Sequence, residues 1–331
     1  MRIHNTFESL PTGTPRALTI GTFDGVHRGH RAILEALRAE AGRIGGESLI
    51  ITFDPHPQEV LRKTGAGVPI LTPIDQKLEL FAQLGVDAVA VIPFTLEFAA
   101  TPWKEFVDTL IAQAGMAAMV VGHDHAFGKG REGNAASLRA YGEERGYAVT
   151  EVPPLLVEGE AISSTVIRRA LAAGDVEGAA AKLGRPYTIR GTVVPGDGRG
   201  RSIGIPTANI APGHPDQLIP HDGVYVVRLR IADDHGTFSA PIGGMANIGV
   251  RPTFTDGERR TIEAHLFDFS DELYNRTVDL ECRTLLRFEQ KFPSKEAFLE
   301  QLARDRAASE TALDLIRAAE TPPTDRLRSS E

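Results

Sequence analysis

The hydrophobic period of this 331-residue chain changes near Gly184. Before that residue, short apolar runs alternate with stretches in which apolar residues recur at helical spacing. After it, apolar residues recur at every second position, between turns rich in Gly, Pro and Asp. The first pattern is typical of a doubly wound parallel sheet in an α/β domain, and the second of an antiparallel β-barrel or sandwich. We therefore expect two domains, residues 1–183 and 184–320, and a disordered tail at 321–331.

The predicted elements differ in kind between the two halves. The first half has strands at 17–20, 48–53, 86–92 and 117–121, and helices at 32–44, 75–84, 103–114, 166–173 and 176–183. The second half has strands at 187–194, 224–231, 261–267 and 278–285, and one long helix at 294–318. Asp75 is placed to cap the start of one helix, Gly85 to end it, and Ser294 to cap the last helix.

Composition and charge narrow the class of ligand. The chain carries 36 Lys and Arg against 44 Asp and Glu, a formal net charge of −8, so we expect a small anionic ligand and no nucleic-acid or membrane partner. The single cysteine, Cys282, excludes an intramolecular disulfide, and no N-terminal apolar run has the length of a signal peptide or transmembrane helix. We expect a cytoplasmic protein without an obligate protein partner, in which Cys282 is a buried core thiol.

The run GTFDGVHRGH, residues 21–30, follows the first predicted strand and opens the first helix. Its glycines suit a turn in which the backbone takes positive φ or approaches a ligand closely. Free amides and the helix dipole at this point favour phosphate, and His27 and His30 would share a face there. The run matches neither the dinucleotide fingerprint nor the Walker-type phosphate loop. It resembles the H-x-G-H signature of the nucleotidyltransferase superfamily.

Three further motifs would lie at the same edge of the sheet, because each follows a predicted strand or opens a helix. They are ITFDPHP at 51–57, VVGHDHAFG at 120–128 and ISSTVIR at 162–168. Together with the first run they resemble the N-terminal adenylyltransferase module of bacterial bifunctional riboflavin kinase/FAD synthetases. The resemblance implies that FMN and ATP react to give FAD and pyrophosphate.

The resemblance also implies two sets of site residues. The ATP-binding set is Gly21, Phe23, Asp24, Gly25, His27, His30, Ser163, Ser164, Thr165 and Arg168. The FMN-binding set is Phe53, Pro55, His56, Pro57, Asp124 and Phe127. Residues 163–165 and Arg168 would act as the counterpart of the mobile K-M-S-K-S loop. His125 stands where an aromatic residue is common in the family.

The chemistry expected of this domain needs no general base. A phosphate monoester has a second pKa of about 6, so the attacking phosphate is already an anion at neutral pH. Positioning and charge neutralisation should therefore dominate. We assign His27, His30 and Arg168 to catalysis, as groups that stabilise the α-phosphate of ATP and the leaving pyrophosphate.

A metal site at His123, Asp124 and His125 is an alternative interpretation of the third motif. Alternation along a strand end would point the two histidines to one side and Asp124 to the other. The sequence offers no further ligand nearby, so a dedicated metal site is the weaker interpretation.

A second chemistry begins with RGRSIGIPTANI, residues 199–210, where a loop rich in Gly and Arg joins a strand. Such a loop can wrap phosphates or be an ordinary solvated turn. Thr207 and Asn209, two residues apart, project from one strand face and can hold Mg²⁺ or its phosphates. The extended motif GDGRGRSIGIPTANI is followed by DGVYVV, ANIGVRPTF, IEAHLFDF and LLRFEQKF, in the order seen in riboflavin kinases, which this half resembles.

That resemblance implies a kinase site that binds nucleotide and flavin. Its residues are Gly198, Arg199, Gly200, Arg201, Gly204, Thr207, Asn209, Asp222, Arg251 and Arg287, with Thr207 and Asn209 as the Mg²⁺ ligands. Ile205 stands where an aromatic residue is common before P-T-A-N, which leaves the metal-binding side chains unchanged.

The kinase reaction calls for a base, because its nucleophile is the neutral ribityl 5′-hydroxyl of riboflavin. Glu263 is our candidate catalytic base. On its predicted strand Ile262 and Ala264 point one way, whereas Glu263 and His265 point the other.

The two halves together predict a bifunctional enzyme of flavin cofactor synthesis. Riboflavin and ATP would give FMN and ADP, and FMN and ATP would then give FAD and pyrophosphate, with Mg²⁺ in both steps and no tightly bound cofactor. Two alternatives stay open. One is a nonenzymatic flavin or nucleotide sensor that keeps the folds, and the other is a nucleotidyltransferase for a different phosphorylated substrate.

Overall fold

The computed structural model describes residues 1–61, 69–128, 130, 132–157, 159–196, 205–252 and 258–320; side chains of residues 251, 252, 258 and 259 lie outside the description. The chain forms two compact units, Met1–Val166 and Ile167–Glu331. The tail expected to be disordered, 321–331, lies outside the described residues.

The first unit is built on a six-stranded sheet in which every neighbouring pair is parallel. Its strands are β1 (Arg2–His4), β2 (Arg16–Ile20), β3 (Glu47–Phe53), β4 (Ala88–Ile92), β5 (Met116–Gly122) and β8 (Ala148–Val152). Their order across the sheet is β1-β4-β3-β2-β5-β8. Two-stranded ribbons add β6 (Ala126–Phe127), β7 (Gly133–Asn134), β9 (Leu156–Val157) and β10 (Glu160–Ala161). The predicted parallel α/β domain is confirmed.

Within the residues described above, the helices between these strands are six: α1 (Arg28–Arg43), α2 (Pro57–Leu61), α3 (Ile74–Gln83), α4 (Leu96–Ala99), α5 (Trp103–Ala114) and α6 (Ala135–Arg145). Gly85 follows α3 with a φ of 72°, as expected of a residue that ends a helix. The prediction that Asp75 caps α3 is wrong. The cap position is taken by Pro73 without a side-chain hydrogen bond, and Asp75 lies within the first turn, where its charge still favours the helix dipole.

Alternate strand residues face two separate cores, one on each side of the sheet. Leu18 and Ile51 belong to the core beneath α5 and α6, whereas Ala17 and Ile50 belong to the core beneath α1 and α3. All four side chains are inaccessible to solvent. Burial on both faces explains why these strands appear in the sequence as continuous apolar runs rather than alternating ones.

The order of the strands fixes where a ligand can bind. The chain passes from β2 to β3 on one side of the sheet and later places β5 on the other side of β2. Such a reversal opens a crevice beyond the carboxyl ends of the two central strands. The loops at 21–27 and 123–125 leave β2 and β5 at this crevice.

The second unit is a closed antiparallel barrel with the strand order β11-β12-β15-β14-β13-β16. Its strands are β11 (Tyr187–Val194), β12 (Ala208–Pro212), β13 (Gly223–Ile231), β14 (Ile242–Pro252), β15 (Glu258–Leu266) and β16 (Thr277–Phe288). The helices α7 (Ser164–Ala172) and α8 (Val176–Leu183) precede the barrel in the chain, and α9 (Lys295–Glu320) follows it. Ser294 caps α9, because its Oγ accepts a hydrogen bond from the Ala297 amide at 3.2 Å.

The two faces of β13 are buried in different ways. Tyr225 and Val227 on one face are inaccessible and pair with β16, in which Cys282 lies opposite Val227. Val226 on the other face packs with Leu313 of α9. Cys282 is fully buried, as predicted, and burial raises the pKa of its thiol to about 12.

Candidate active sites

The turn after β2 has an unusual backbone. Phe23, Gly25 and Val26 have φ values of 47°, 89° and 38°, although two of them carry side chains. Both of those side chains are buried, and the Val26 amide donates to the Phe23 carbonyl at 3.0 Å. Left-handed conformations are unfavourable for such residues, so the surrounding packing holds the turn in this shape.

His27 and His30 are brought together where this turn meets α1. His27 is the N-cap residue, and its Nδ1 accepts a hydrogen bond from the His30 amide at 3.2 Å. The two rings stack with centroids 3.5 Å apart and an interplanar angle of 17°. Because Nδ1 of His27 is an acceptor, a neutral His27 carries its proton on Nε2 and can donate it to a ligand.

Asp24 has its carboxylate turned into the protein. It is 1% exposed, and Oδ1 accepts hydrogen bonds from the Leu71 and Thr72 amides, each at 3.0 Å. Asp24 was predicted to bind ATP, but its side chain is used to hold the turn in place.

The ISST motif opens α7 beside the same turn, as the sequence predicted. Ser164 Oγ donates to the Asp24 carbonyl at 2.8 Å, and Ser163 Oγ accepts from the Val166 amide at 3.3 Å. Thr165 is exposed. Arg168 lies on α7, one helical turn after Ser164.

The predicted flavin residues Phe53 and Phe127 are joined by aromatic side chains that the sequence analysis missed. Ring centroids lie 5.5 Å apart for Phe53 and Phe98, 5.3 Å for Phe98 and Phe106, and 5.6 Å for Phe106 and Phe127. Phe94 contacts Phe53 at 5.4 Å. Phe94 lies in the loop before α4, Phe98 in α4 and Phe106 in α5, where no motif marks them.

The other predicted FMN-binding residues lie at the ends of β3 and β5. His56 is buried, with Nδ1 accepting from the Gln58 amide at 3.2 Å, whereas Pro55 is exposed and Pro57 begins α2. The side chain of Asp124 is 80% exposed.

The expected alternation of His123, Asp124 and His125 is wrong. The strand β5 ends at Gly122, and a turn begins there because the His125 amide donates to the Gly122 carbonyl at 3.1 Å. Within the described part of the chain, no group of three His, Cys, Asp or Glu residues could hold a metal ion. His125 instead lies 5.5 Å from Phe127, centroid to centroid, beside the aromatic series.

In the barrel, Glu263 lies between two asparagines on neighbouring strands. It is paired with Asn209 of β12 on one side and with Asn247 of β14 on the other. Residues paired in this way have their Cβ atoms about 5 Å apart on one face of the sheet. Glu263 is half-buried while Ile262 and Ala264 are buried, which agrees with the predicted alternation.

The asparagine side chains are themselves held in place. Asn209 covers Gly196 so closely that a Cβ on this glycine would overlap its amide. Asn247 Nδ2 donates to Glu289 Oε1 at 3.2 Å. Asn247 and Glu289 were not singled out in the sequence, although both lie within motifs of the second half.

His265 fixes the segment that carries Thr207. It lies on the same face of β15 as Glu263, is 8% exposed, and has Nδ1 at 2.8 Å from the Pro206 carbonyl. Because a carbonyl oxygen only accepts, Nδ1 of His265 carries the proton. This contact holds the chain immediately before Thr207, which is half-buried.

Two other predicted kinase residues form internal ion pairs. Asp222 Oδ1 accepts from Arg260 Nε at 2.8 Å, and Arg287 donates to Asp305 Oδ2 of α9 at 2.8 Å. Both contacts order the structure around the site. Gly198, Arg199, Gly200, Arg201, Gly204 and the side chain of Arg251 lie outside the described residues.

The first unit carries two stacked histidines at the switch point of a parallel sheet, and the barrel carries a carboxylate between two amides, so the chain holds two separate candidate sites. Residues 11–166 match the FAD synthetase family, and residues 183–313 match the riboflavin kinase family. The chain belongs to the bifunctional riboflavin kinase/FMN adenylyltransferases.

Curated relatives cover nearly the whole chain. The bifunctional riboflavin kinase/FMN adenylyltransferase of Listeria monocytogenes is 39% identical over 294 residues, 89% of this chain and 91% of the relative. That of Escherichia coli is 38% identical over 318 residues, 96% and 98% of the two chains. This chain therefore phosphorylates riboflavin to FMN and adenylylates FMN to FAD, and the sensor and other-substrate alternatives are set aside.

A solved structure from Streptococcus pneumoniae, described as a macrolide-efflux protein, has the same fold. The TM-score is 0.82 at 30% identity, covering 92% of this chain and 96% of that one. In the part of the present chain that the structure describes, every helix is too short or too polar to cross a membrane.

Proposed function

We propose that FMN adenylylation takes place at the crevice of the first unit, with ATP phosphates bound by the turn at 21–30. The observation that carries this proposal is the stacking of His27 on His30 at the N-terminus of α1. The neutral His27 ring carries its proton on Nε2, and the first turn of α1 contains no acidic residue that would repel phosphate.

The proposed reaction depends on binding and charge neutralisation. The FMN phosphate attacks the α-phosphorus of ATP, the bond to the pyrophosphate oxygen breaks, and the leaving group departs as an anion. His27, His30 and Arg168 donate hydrogen bonds to the phosphate oxygens, where negative charge increases in the transition state. Gly21, Phe23, Gly25 and the segment 163–165 shape the ATP site.

The flavin of FMN is proposed to lie against the aromatic series that ends in Phe53 and Phe127. Flat apolar rings at the mouth of the crevice suit a flavin ring, and Pro55, His56 and Pro57 extend the same surface. The exposed carboxylate of Asp124 is available to bind a polar edge of the flavin.

In the barrel, we propose that Glu263 removes the proton of the ribityl 5′-hydroxyl as the γ-phosphoryl group of ATP is transferred to that oxygen. Thr207 and Asn209 offer oxygen atoms, which suit Mg²⁺, and these residues would hold the ion. The bound ion would neutralise charge on the ATP phosphates. Asp222 and Arg287 order the surroundings through their ion pairs, and the loop with Arg199 and Arg201 contacts the nucleotide.

The setting of the two reactions is also a proposal. ATP is the co-substrate of both, Mg²⁺ is the proposed metal ion, and ADP and pyrophosphate are the by-products. We place the enzyme in the cytoplasm, where ATP is supplied, without a nucleic-acid, membrane or obligate protein partner. The formal charge of −8 supports the choice of small ligands over polyanions.

The test is one assay on the full-length protein and two variants. Riboflavin, ATP and Mg²⁺ are supplied, and riboflavin, FMN and FAD are resolved over time. Glu263→Gln is expected to stop FMN formation while supplied FMN is still adenylylated, and His30→Ala is expected to do the reverse. Asp268→Asn, in the exposed turn that follows the Glu263 strand, is the matched control. Full FMN formation by Glu263→Gln, or full FAD formation by His30→Ala, would overturn the respective assignment.

A further inference from the structure

A buried lysine contacts the turn that we propose for ATP. Lys77, in the first turn of α3, is 4% exposed, and its Nζ donates to the Thr22 carbonyl at 2.8 Å. Thr52 Oγ1 donates to the same oxygen at 3.4 Å. The carbonyl one residue after the start of the turn therefore has an ammonium group as its nearer donor.

The same helix region contacts each of the next two residues of the turn. The ring of Phe23 meets that of Phe81 of α3 edge-on, with centroids 5.7 Å apart. The Asp24 carboxylate accepts from the Leu71 and Thr72 amides, just before α3 begins. Three consecutive residues, 22–24, are thus held by one segment, 71–81, through an ammonium, an aromatic ring and two amides.

A lysine at this depth is unfavourable unless its charge is compensated. Burial lowers the pKa of Lys77, whereas the neighbouring carboxylates of Asp24, Asp54 and Glu59 favour its charged form. An apolar side chain would fill the same space without that penalty. The contact that accounts for a buried ammonium here is its hydrogen bond to the Thr22 carbonyl, within the turn proposed for the ATP phosphates.

We propose that Lys77 is a positioning residue for FMN adenylylation: it fixes the Thr22 carbonyl, and through it the turn that leads to His27. This inference rests on the proposed binding of ATP phosphates at residues 21–30. It goes further in assigning the shape of that turn to a residue of another element, 55 positions along the chain from Thr22.

Loss of the Lys77 contact should affect the binding of ATP and leave the binding of FMN nearly unchanged. Thr22 belongs to the turn, whereas the aromatic series proposed for the flavin is anchored on β3, α4 and α5. Loss of the Lys77 ammonium should therefore raise KM for ATP by about tenfold, the effect expected for a lost hydrogen bond to a charged group. KM for FMN should stay within about twofold, because its contacts remain.

Arg16 provides a matched control for burial alone. It is 1% exposed, lies at the opposite end of β2, and donates to the Ala114 and Pro11 carbonyls at 3.0 and 2.9 Å. Arg16→Met therefore also removes a buried cation that binds carbonyl oxygens in the same unit, but far from the crevice.

The experiment measures steady-state adenylylation by the full-length Lys77→Met, Arg16→Met and His30→Ala proteins below their unfolding temperatures. We expect only Lys77→Met to raise KM for ATP while leaving KM for FMN nearly unchanged. Arg16→Met should keep both KM values within about twofold of the wild-type values. An unchanged KM for ATP in Lys77→Met, or equal changes in both lysine and arginine variants, would overturn the proposal. Retained adenylylation by His30→Ala would instead overturn the ATP site itself. If Lys77→Met does not fold, Lys77→Ala, which also removes the donor, is judged by the same criterion.

Discussion

Asn247 lies directly opposite Glu263 on the neighbouring strand and donates a hydrogen bond to Glu289. The proposed base of the kinase is therefore bordered by an amide that is held in one orientation. That amide is the most specific feature of the barrel site that the sequence did not reveal.

We expect Asn247→Ala to lower kcat for riboflavin phosphorylation by about tenfold, because Glu263 loses the neighbour that restricts its position. FMN adenylylation by the same protein should be unchanged, and it serves as the internal control for concentration. The check is a comparison of initial rates of both activities. A wild-type rate of phosphorylation would remove Asn247 from the site.

Gly29 tests how tightly His27 must be held. A Cβ on Gly29 would lie 3.2 Å from His27 Nδ1, whereas a Cβ on Gly42 of the same helix would meet nothing within 4 Å. Gly29→Ala should therefore displace the His27 ring and slow adenylylation by about fivefold. Gly42→Ala should leave the rate unchanged while stabilising α1 by about 0.5–1 kcal/mol. Equal rates in the two variants would show that the ring position is not critical.

The ion pair between Arg287 and Asp305 should stabilise the second unit strongly. Asp305 is 4% exposed and Arg287 is 19% exposed, so Asp305→Asn would leave a partly buried guanidinium without its counter-charge, at a cost of about 2 kcal/mol. Asp314 of the same helix pairs with Arg317 at the surface, with side chains 75% and 65% exposed, and Asp314→Asn should have little effect. Urea unfolding of both variants measures the difference. Similar midpoints would mean that the buried pair contributes no net stability.

Cys282 should make the second unit less stable at alkaline pH. Burial raises the pKa of its thiol from 9.0 to about 12, so the folded state keeps the proton while the unfolded state releases it within that interval. This contribution to stability is fully present below pH 9 and is lost as the pH rises toward about 12. Cys282→Ala should show a weaker decline of the unfolding temperature between those pH values. Identical pH profiles would contradict the assignment.

Periodicity alone predicted much of the fold, because the strands of the first unit are continuous apolar runs and those of the barrel alternate. It missed β1, α6 and β8 in the first unit. In the barrel it missed β14, whose glycines in IGGMANIGV hide the period of two. It also extended β5 into His123 and His125, because a turn set by one backbone hydrogen bond leaves no mark on side-chain pattern.

The candidate site residues also divide into those that a local sequence pattern predicts and those that it does not. Residues inside compact motifs were predicted from the sequence: His27 and His30 stack in the structure, and Ser164 contacts the Asp24 carbonyl of the same turn. Lys77, Phe98 and Asn247 were missed, because each reaches its site from an element whose local sequence only reports a helix or a strand. Contacts between distant elements depend on packing, and no local pattern records them.

The short pairing of β12 with β15, which we call the seam of the barrel, has a kinetic consequence. In the described residues β12 meets β15 through two pairs, Ala208 with Ala264 and Asn209 with Glu263. The proposed base and metal ligand are therefore joined through a short strand pairing, between segments far apart in the chain. Because non-local pairing of this kind is slow to form, phosphotransfer should be the last property to return on refolding and the first to disappear when that seam opens.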